Sequence, residues 1–391
     1  MGLLTASAEL AALPLVDHHC HGLVGSALDR PGFEALISEG GAPPPGATNF
    51  DTPLGLAIRR HCAPVLDLPV HVPASDYLAR RTELGPTEVN RRLLTAAGTS
   101  VFCVDTGFRA ESLTGPGSLA ALVGGVGHEI VRLESVAEAL MAEGHTGGHA
   151  EGMDGGRFAE LLGPRLHRTV TERSAVGVKT IAAYRVGFDL DPAPPTRAET
   201  ALAAEAWRER GPQADGSWRL DDPVLTRALW WSAVELGLPM QFHVGFGDAD
   251  IRMYRSDPTL LTEWLHRHRT PVMLLHCWPY HRQASYLAAV HPHVHLDVGL
   301  ALHFVGPTRA RAVLEEATEL APFGKLLYSS DAFGAAELYH LGALSFRTAL
   351  GGLLDTRVAD GEWSLPDAVR IARLVGRENA LRVYQLSGGV N

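Results

Sequence analysis

Cysteine is scarce in this 391-residue chain: Cys20, Cys62, Cys103 and Cys277 are widely spaced and form no C-x-x-C pair. A disulfide framework is therefore not expected, and reduced thiols in a cytoplasmic setting are the simpler reading. No apolar run is long enough to span a bilayer, and the first residues lack a basic segment leading into an apolar core. Association with a membrane is not expected. Basic residues are outnumbered, 34 Lys and Arg against 44 Asp and Glu, for a formal net charge of -10, and no basic run offsets this. That balance argues against a nucleic-acid surface. A G-x-G-x-x-G loop after the first apolar run is also missing, which argues against an open, doubly wound nucleotide-binding sheet.

What the chain does hold is histidine, 19 in all, with several at the ends of apolar runs. The first such run is Leu-Val-Asp-His-His-Cys-His-Gly at 15–22. Read as a strand, its side chains alternate between two faces. Asp17, His19 and His21 then share one face, so that two imidazoles can reach one metal ion, while His18 and Cys20 pack behind.

Seven further β-rich runs follow, at 99–107, 129–135, 175–185, 239–248, 271–280, 294–299 and 325–331. Helical patterns separate them at 134–143, 196–210, 222–236, 258–268, 281–290 and 307–319, and 335–386 reads as helical throughout. Residues 22–97 read as a long, largely helical insertion: a Gly/Pro-rich start, then helices through Arg81 and from Pro86 to Ala96. The Gly/His-rich tract at 144–156 reads as a solvated turn rather than a metal-binding tract. Near-continuous apolar strands alternating with helices mean a parallel sheet covered on both faces. Eight such units predict an α/β fold, a closed (β/α)8 TIM barrel forming a single domain over 1–391. Such a barrel takes ~250 residues, and the surplus is assigned to inserts after strands one and three and to C-terminal helices at 335–391.

In such barrels the site stands at the carboxyl ends of the strands. His19 and His21 fall there on the first strand, Lys179 on the fourth, His243 on the fifth, His276 on the sixth and Asp331 on the eighth. Barrel closure brings the first and eighth strands together. Six polar residues at corresponding positions are costly as mere packing, so they are expected to converge on one site. A catalytically idle barrel used as a scaffold has no reason to keep them.

His19-x-His21 preceded by Asp17, single histidines ending strands five and six, and Ser330-Asp331 ending strand eight resemble the amidohydrolase superfamily of metal-dependent barrel enzymes. The tail Gly376-Arg-Glu-Asn-Ala-Leu-Arg-Val-Tyr-Gln-Leu386 is similar to the closing helix of its amidohydrolase 2 branch. Val178-Lys179-Thr180 and Ala182-Ala-Tyr-Arg185 most resemble the amidohydrolase-type domain associated with glutamine-synthetase-like proteins. The resemblance implies a hydrolase that uses a metal-activated water to cleave an amide, or another C–N or ester bond, of a small carboxylate-bearing substrate. A non-hydrolytic decarboxylase, usually with one metal, is the alternative on the same scaffold.

The resemblance also implies ligand roles. His19, His21 and Asp331 would hold a first divalent metal, and Lys179, carboxylated to N6-carboxylysine, would bridge to a second held by His243 and His276. An unmodified Lys179 with a single metal, His276 then polarising or protonating the substrate, is the other arrangement. Zinc suits such mixed imidazole and carboxylate ligands, and manganese or iron also fit. Asp331 would take a proton from water and pass it to the leaving group. Arg185 is expected either to anchor a substrate carboxylate with its planar fork or to face outward as a surface arginine. Tyr184, Trp278, His281 and His303 are expected to contact the substrate, and Asp17 to orient a ligand. His291, His293 and His295 read as surface or core residues. A homodimer is a further implication, and specificity is expected to reside in 22–97 and 136–174.

Overall fold

Seven parallel strands form one curled sheet in the computed structural model, which describes residues 5–109, 111–146 and 153–387. They are β1 (Leu15–Cys20), β2 (Thr99–Asp105), β3 (Val126–Arg132), β4 (Gly177–Thr180), β5 (Met240–His243), β6 (Val272–Leu275) and β7 (Val294–Leu296), paired in sequence order. β-branched and apolar residues bury most of these strands on both faces, as helices on the outside require. Two apolar layers result. A small one inside the curl holds Val16, Val101, Cys103, Ile130, Met273, Leu275 and Leu327, and a large one lies between the sheet and the helices.

The expected eighth strand at 325–331 is not a regular strand. Its segment nonetheless runs between β7 and β1: Leu327 N donates to Leu296 O at 3.0 Å, and His18 N donates to Tyr328 O at 3.2 Å. Further along, Asp331 N donates to His19 O at 3.0 Å and Gly334 N to Gly22 O at 2.8 Å. The ladder breaks because Ser330 N bonds a side chain, Asp17 Oδ1, and because Asp331 adopts a left-handed φ of 51°. The curl is thus bridged by an irregular segment where the sequence suggests a strand.

Helices Arg30–Leu36, Pro53–Ala57, Ala74–Leu84 and Pro86–Ala97 lie between β1 and β2. Two expectations shift. The helix expected over 258–268 shrinks to a 3-10 turn, Pro258–Leu261, and one α-turn, Thr262–Leu265. Gly155–Glu172 is a helix that the sequence reading does not predict; Pro164 inside it hides a clear stripe of Phe158, Leu162, Leu166 and Val170. Of the Gly/His-rich tract, residues 147–152 lie outside the described residues. No helix among the described residues is long and apolar enough to cross a membrane. All four cysteines are buried and free.

The tail motif has a packing role. Asn379 Nδ2 donates to Phe323 O and Leu326 O, each at 2.8 Å, at the start of the irregular eighth segment. Arg377 Nη1 reaches Pro14 O at 3.0 Å, just before β1. Tyr384 enters the curl, its hydroxyl 2.8 Å from Gln241 Nε2. The tail therefore pins the two elements that carry Asp331 and His19.

Candidate active site

The site begins with an irregularity in β1. Asp17 lies opposite Phe102 while Cys20 lies opposite Val104, three residues against two. Such a bulge breaks strict alternation. Asp17 shares its surroundings with Cys20, close to Tyr328 and Tyr339 of the outer layer. His18 instead enters the curl, with Nε2 3.0 Å from Asp297 Oδ2 and Nδ1 3.1 Å from the Tyr384 hydroxyl. The expected faces are thereby corrected: Asp17 is not on the face of His19 and His21, and His18 is not with Cys20. Asp17 grips the far side of the site. It accepts Ser330 N at 2.9 Å and the Ser330 hydroxyl at 2.5 Å, and Ser330 Oγ accepts Ala332 N at 3.1 Å. These bonds flank Asp331 on both sides.

Asp331 stands at the centre. Its Oδ1 lies 2.9 Å from His19 Nε2 and 3.4 Å from His21 Nε2, and its Oδ2 lies 3.3 Å from His276 Nε2. Ligand atoms of His19, His21 and Asp331 all lie within 4.8 Å of one another. His243 joins through ring contact with His276, centroids 4.7 Å apart. Like Asp331, His276 has a left-handed backbone, φ 68°, immediately after β6. Non-glycine residues held there carry strain that clusters at functional sites.

The electrostatics fit a cation. Burial, then the Lys179 charge, pushes His19 down to about 3, and burial lowers His243 and His276 as well. These rings are neutral at pH 7 and keep a lone pair for a ligand. Burial alone would raise Asp331, but His276, His19 and His21 hold it well below the carboxylate range. Buried His276 Nε2 and Asp331 Oδ1 lack a partner in hydrogen-bond geometry. Orphaned imidazole and carboxylate atoms facing one point are the donor set of a divalent metal.

Lys179 Nζ lies 2.9 Å from His19 Nε2 and 3.4 Å from Asp105 Oδ2. Asp105 pairs more closely with Arg132, at 2.6 Å, and its backbone carbonyl accepts from His21 Nδ1 at 3.0 Å. Asp105 and Arg132 are absent from the sequence-based set, yet they end β2 and β3. The strand-end rule that selects the other residues also selects them.

A cavity of about 230 Å³ opens beside the cluster, a size for a small molecule. His21, Lys179, His243, Asp331, Tyr184 and Arg185 line it, together with Glu39, Phe108, Arg132 and Asp248. The sequence-based set does not include the last four; Glu39 and Asp248 sit in loops. Burial, then Asp331 and Asp248, raises Glu39 to about 8. The Tyr184 hydroxyl lies 3.0 Å from His243 Nε2. Arg185 turns inward, only 14% exposed along its side chain, with a buried Nε lacking a partner and Glu138 3.9 Å away.

Three predicted contacts fall outside the lining. His281 pairs with Glu316 on a neighbouring helix. Trp278 supports His243 indirectly: its carbonyl accepts Phe246 N at 2.7 Å, and Phe246 O accepts His243 Nε2 at 2.9 Å. His303 is buried near Asp331 and His276, pushed to about 4 by burial, with both ring nitrogens unpartnered.

Asp297, at the end of β7, organises the layer beneath. Besides His18 it accepts His276 N at 2.9 Å, Gly299 N at 2.8 Å and the Ser329 hydroxyl at 2.9 Å. Burial raises its pKa, but His18, His276 and Gly299 outweigh this and hold it below the usual range. The unfolded carboxyl titrates near ~3.9, so this stabilisation is present above that pH and lost as pH falls through the lower folded value. Asp297→Asn should lower stability at pH 7 by about 3 kcal/mol. It should also flatten the fall in melting temperature on acidification. Equal acid slopes in both proteins would refute the assignment.

A curled parallel α/β sheet with a His–His–Asp cluster at its carboxyl end defines a metal-site enzyme of the TIM-barrel-like class. Residues 157–386 match the amidohydrolase family (Amidohydro_2), and the chain belongs to that family. A protein of Lactobacillus casei ATCC 334, described by inference as a metal-dependent hydrolase, is similar over 98% of both chains at 28% identity and a TM-score of 0.83. Glucuronate isomerase from Caulobacter crescentus is similar over 99% of this chain and 94% of its own, at 15% identity and a TM-score of 0.66, a likeness of fold alone. Protein fluG of Emericella nidulans is 28% identical over 278 residues, 66% of this chain. The chain spans only 32% of that relative's length.

Proposed function

We propose that this protein is a metal-dependent hydrolase cleaving an amide, or a related C–N or ester bond, in a small substrate that carries a carboxylate. The observation supporting it is the convergence of His19, His21, His276 and Asp331 beside a cavity lined by an inward, unsatisfied arginine. His19, His21 and Asp331 would hold the first ion. A carboxylated Lys179 would bridge to a second, held by His243 and His276. Zinc suits these ligands. When bound, such an ion supplies an activated water and polarises the scissile carbonyl. Asp331 takes up the proton and delivers it to the leaving group. Arg185 holds the substrate carboxylate, because Arg132 is already committed to Asp105. The presence of Lys179 together with both His243 and His276 favours hydrolysis over decarboxylation.

The test is elemental analysis combined with a screen of amides, lactones and aryl carboxylates. Chelation should abolish turnover, and added Zn2+ should restore it. Carbon dioxide release without a hydrolysis product would assign decarboxylation instead. Arg185→Gln should raise KM by about 10- to 100-fold, the loss of one charged hydrogen-bond pair. An unchanged KM would remove Arg185 from substrate binding.

A further inference from the structure

Two side chains of opposite charge type line the catalytic cavity without a partner, and they do not neutralise each other. Arg185, just after β4, is only 14% exposed along its side chain. Among the described residues that side chain makes no hydrogen bond: Nε is buried and unpartnered, and the Glu138 carboxylate stops 3.9 Å from Nη2. Glu39 enters the same cavity from the insertion after β1. Its carboxyl has no hydrogen bond and no ion pair among the described residues. The charges that act on it are Asp331, Asp248 and Lys179, and Arg185 is not one of them.

The other charges around the cavity are already engaged. Arg132 and Lys179 face Asp105 at 2.6 and 3.4 Å, Asp250 pairs with Arg219 at 3.1 Å, and Asp331 belongs to the imidazole cluster. Asp248, exposed at the cavity edge, receives only the Asp250 N–H at 2.9 Å and adds a second negative charge near Glu39. Gly247 lets the loop after β5 bring it there: a Cβ at that position would overlap the Tyr184 hydroxyl and stand 2.9 Å from His243 Nε2. A charge held away from water without a partner is costly. Burial and the Arg219 charge disfavour the Arg185 cation, an effect that a bound anion reverses. Burial, with Asp331 and Asp248, disfavours the Glu39 carboxylate, an effect that a bound cation reverses. Kept apart in one cavity, the two groups select a ligand that carries both complementary charges.

We propose that the substrate is zwitterionic: a small amide whose free ammonium group is held by Glu39 and Asp248 and whose free carboxylate is held by Arg185. This rests on the hydrolase reading of the cavity and adds the ammonium half of the substrate. An ammonium group offers three donors to carboxylate oxygens, whereas the planar guanidinium fork matches a carboxylate. Short amino-acid amides, such as a dipeptide or its β- or γ-linked homologue, combine the two groups at a size that suits a cavity of about 230 Å³.

Titration calorimetry of the Zn2+-loaded full chain tests this without requiring turnover. The probes are glycylglycine, β-alanylglycine and γ-aminobutyrylglycine, each beside its N-acetyl form and its C-terminal amide; KM replaces Kd for any form that is cleaved. At least one free zwitterion should bind about ten-fold or more tightly than either of its blocked forms, each of which lacks one charged hydrogen-bond pair. Glu39→Gln should erase most of the preference over the N-acetyl form and keep the preference over the C-terminal amide, and Arg185→Gln should do the reverse. The Glu39 carboxyl makes no bond within the described protein, so Glu39→Gln should leave melting temperature and metal content unchanged. Loss of metal in that variant would overturn the proposal by assigning Glu39 to the ions. Equal binding of free and blocked forms, or binding of none, would also overturn it. A zwitterion that binds with these preferences and is never cleaved would support this proposal and defeat the hydrolase reading. Cleavage of N-acetylated amides as efficiently as their free forms would do the opposite.

Discussion

Asp331→Asn should reduce turnover of any substrate the screen finds by on the order of 10³-fold or more, and should strip metal from the His19–His21 position. The side chain keeps its volume and loses two properties together. Its carboxylate contacts three imidazoles, with oxygens 2.9 Å from His19, 3.4 Å from His21 and 3.3 Å from His276. An amide nitrogen in either oxygen position turns an acceptor into a donor, aimed at the point where a cation would sit. The amide also cannot take up a proton near neutral pH, which removes the proposed base. The backbone there is fixed by Asp17 and Ser330 rather than by the substituted side chain, so the fold should persist. Circular dichroism melts without added metal should therefore lie within a few degrees of native. Full turnover in Asp331→Asn would defeat the assignment of both roles.

The parallel α/β architecture and the strand-end location of the site are legible from apolar runs because each strand is buried on both faces. His19, His21, Lys179, His243, His276 and Asp331 all come together as that location requires. Register within β1 is not legible: a bulge depends on what the neighbouring strand offers, and one inserted residue exchanges Asp17 and His18 between layers. The eighth strand fails for a related reason, since Asp17, 313 positions away, takes the backbone bond a ladder would use. Proximity to His276 in sequence points His281 toward the substrate, whereas its partner Glu316 lies 35 positions on. Asp105 and Arg132 were within reach of the strand-end rule; a salt-bridged pair carries no motif to attract attention.

Lys179→Ala carries the second-largest expected effect and separates the two states of that lysine. The amine is buried, which lowers its pKa, while Asp105 and Asp331 act in the opposite direction. Arg132 competes for Asp105, standing 2.6 Å away against 3.4 Å for Lys179. The ammonium form is thereby left with a weakened counter-ion and an imidazole nitrogen at 2.9 Å. Carbon dioxide adds only to a neutral amine, and desolvation favours that form. A bridging carbamate predicts that Lys179→Ala lowers the catalytic metal count by about one and turnover by on the order of 10²-fold or more. It also predicts a carbamate resonance from native protein equilibrated with ¹³C-bicarbonate, absent in the variant. Added acetate or propionate should return part of the activity, since a small carboxylate can occupy the vacated space and offer two oxygens. An unmodified lysine predicts the opposite pattern: unchanged metal content, no carbamate resonance and no rescue. A fully active Lys179→Ala with one metal would remove the bridge altogether, leaving His19, His21 and Asp331 as a mononuclear site with His276 free to protonate or polarise the substrate.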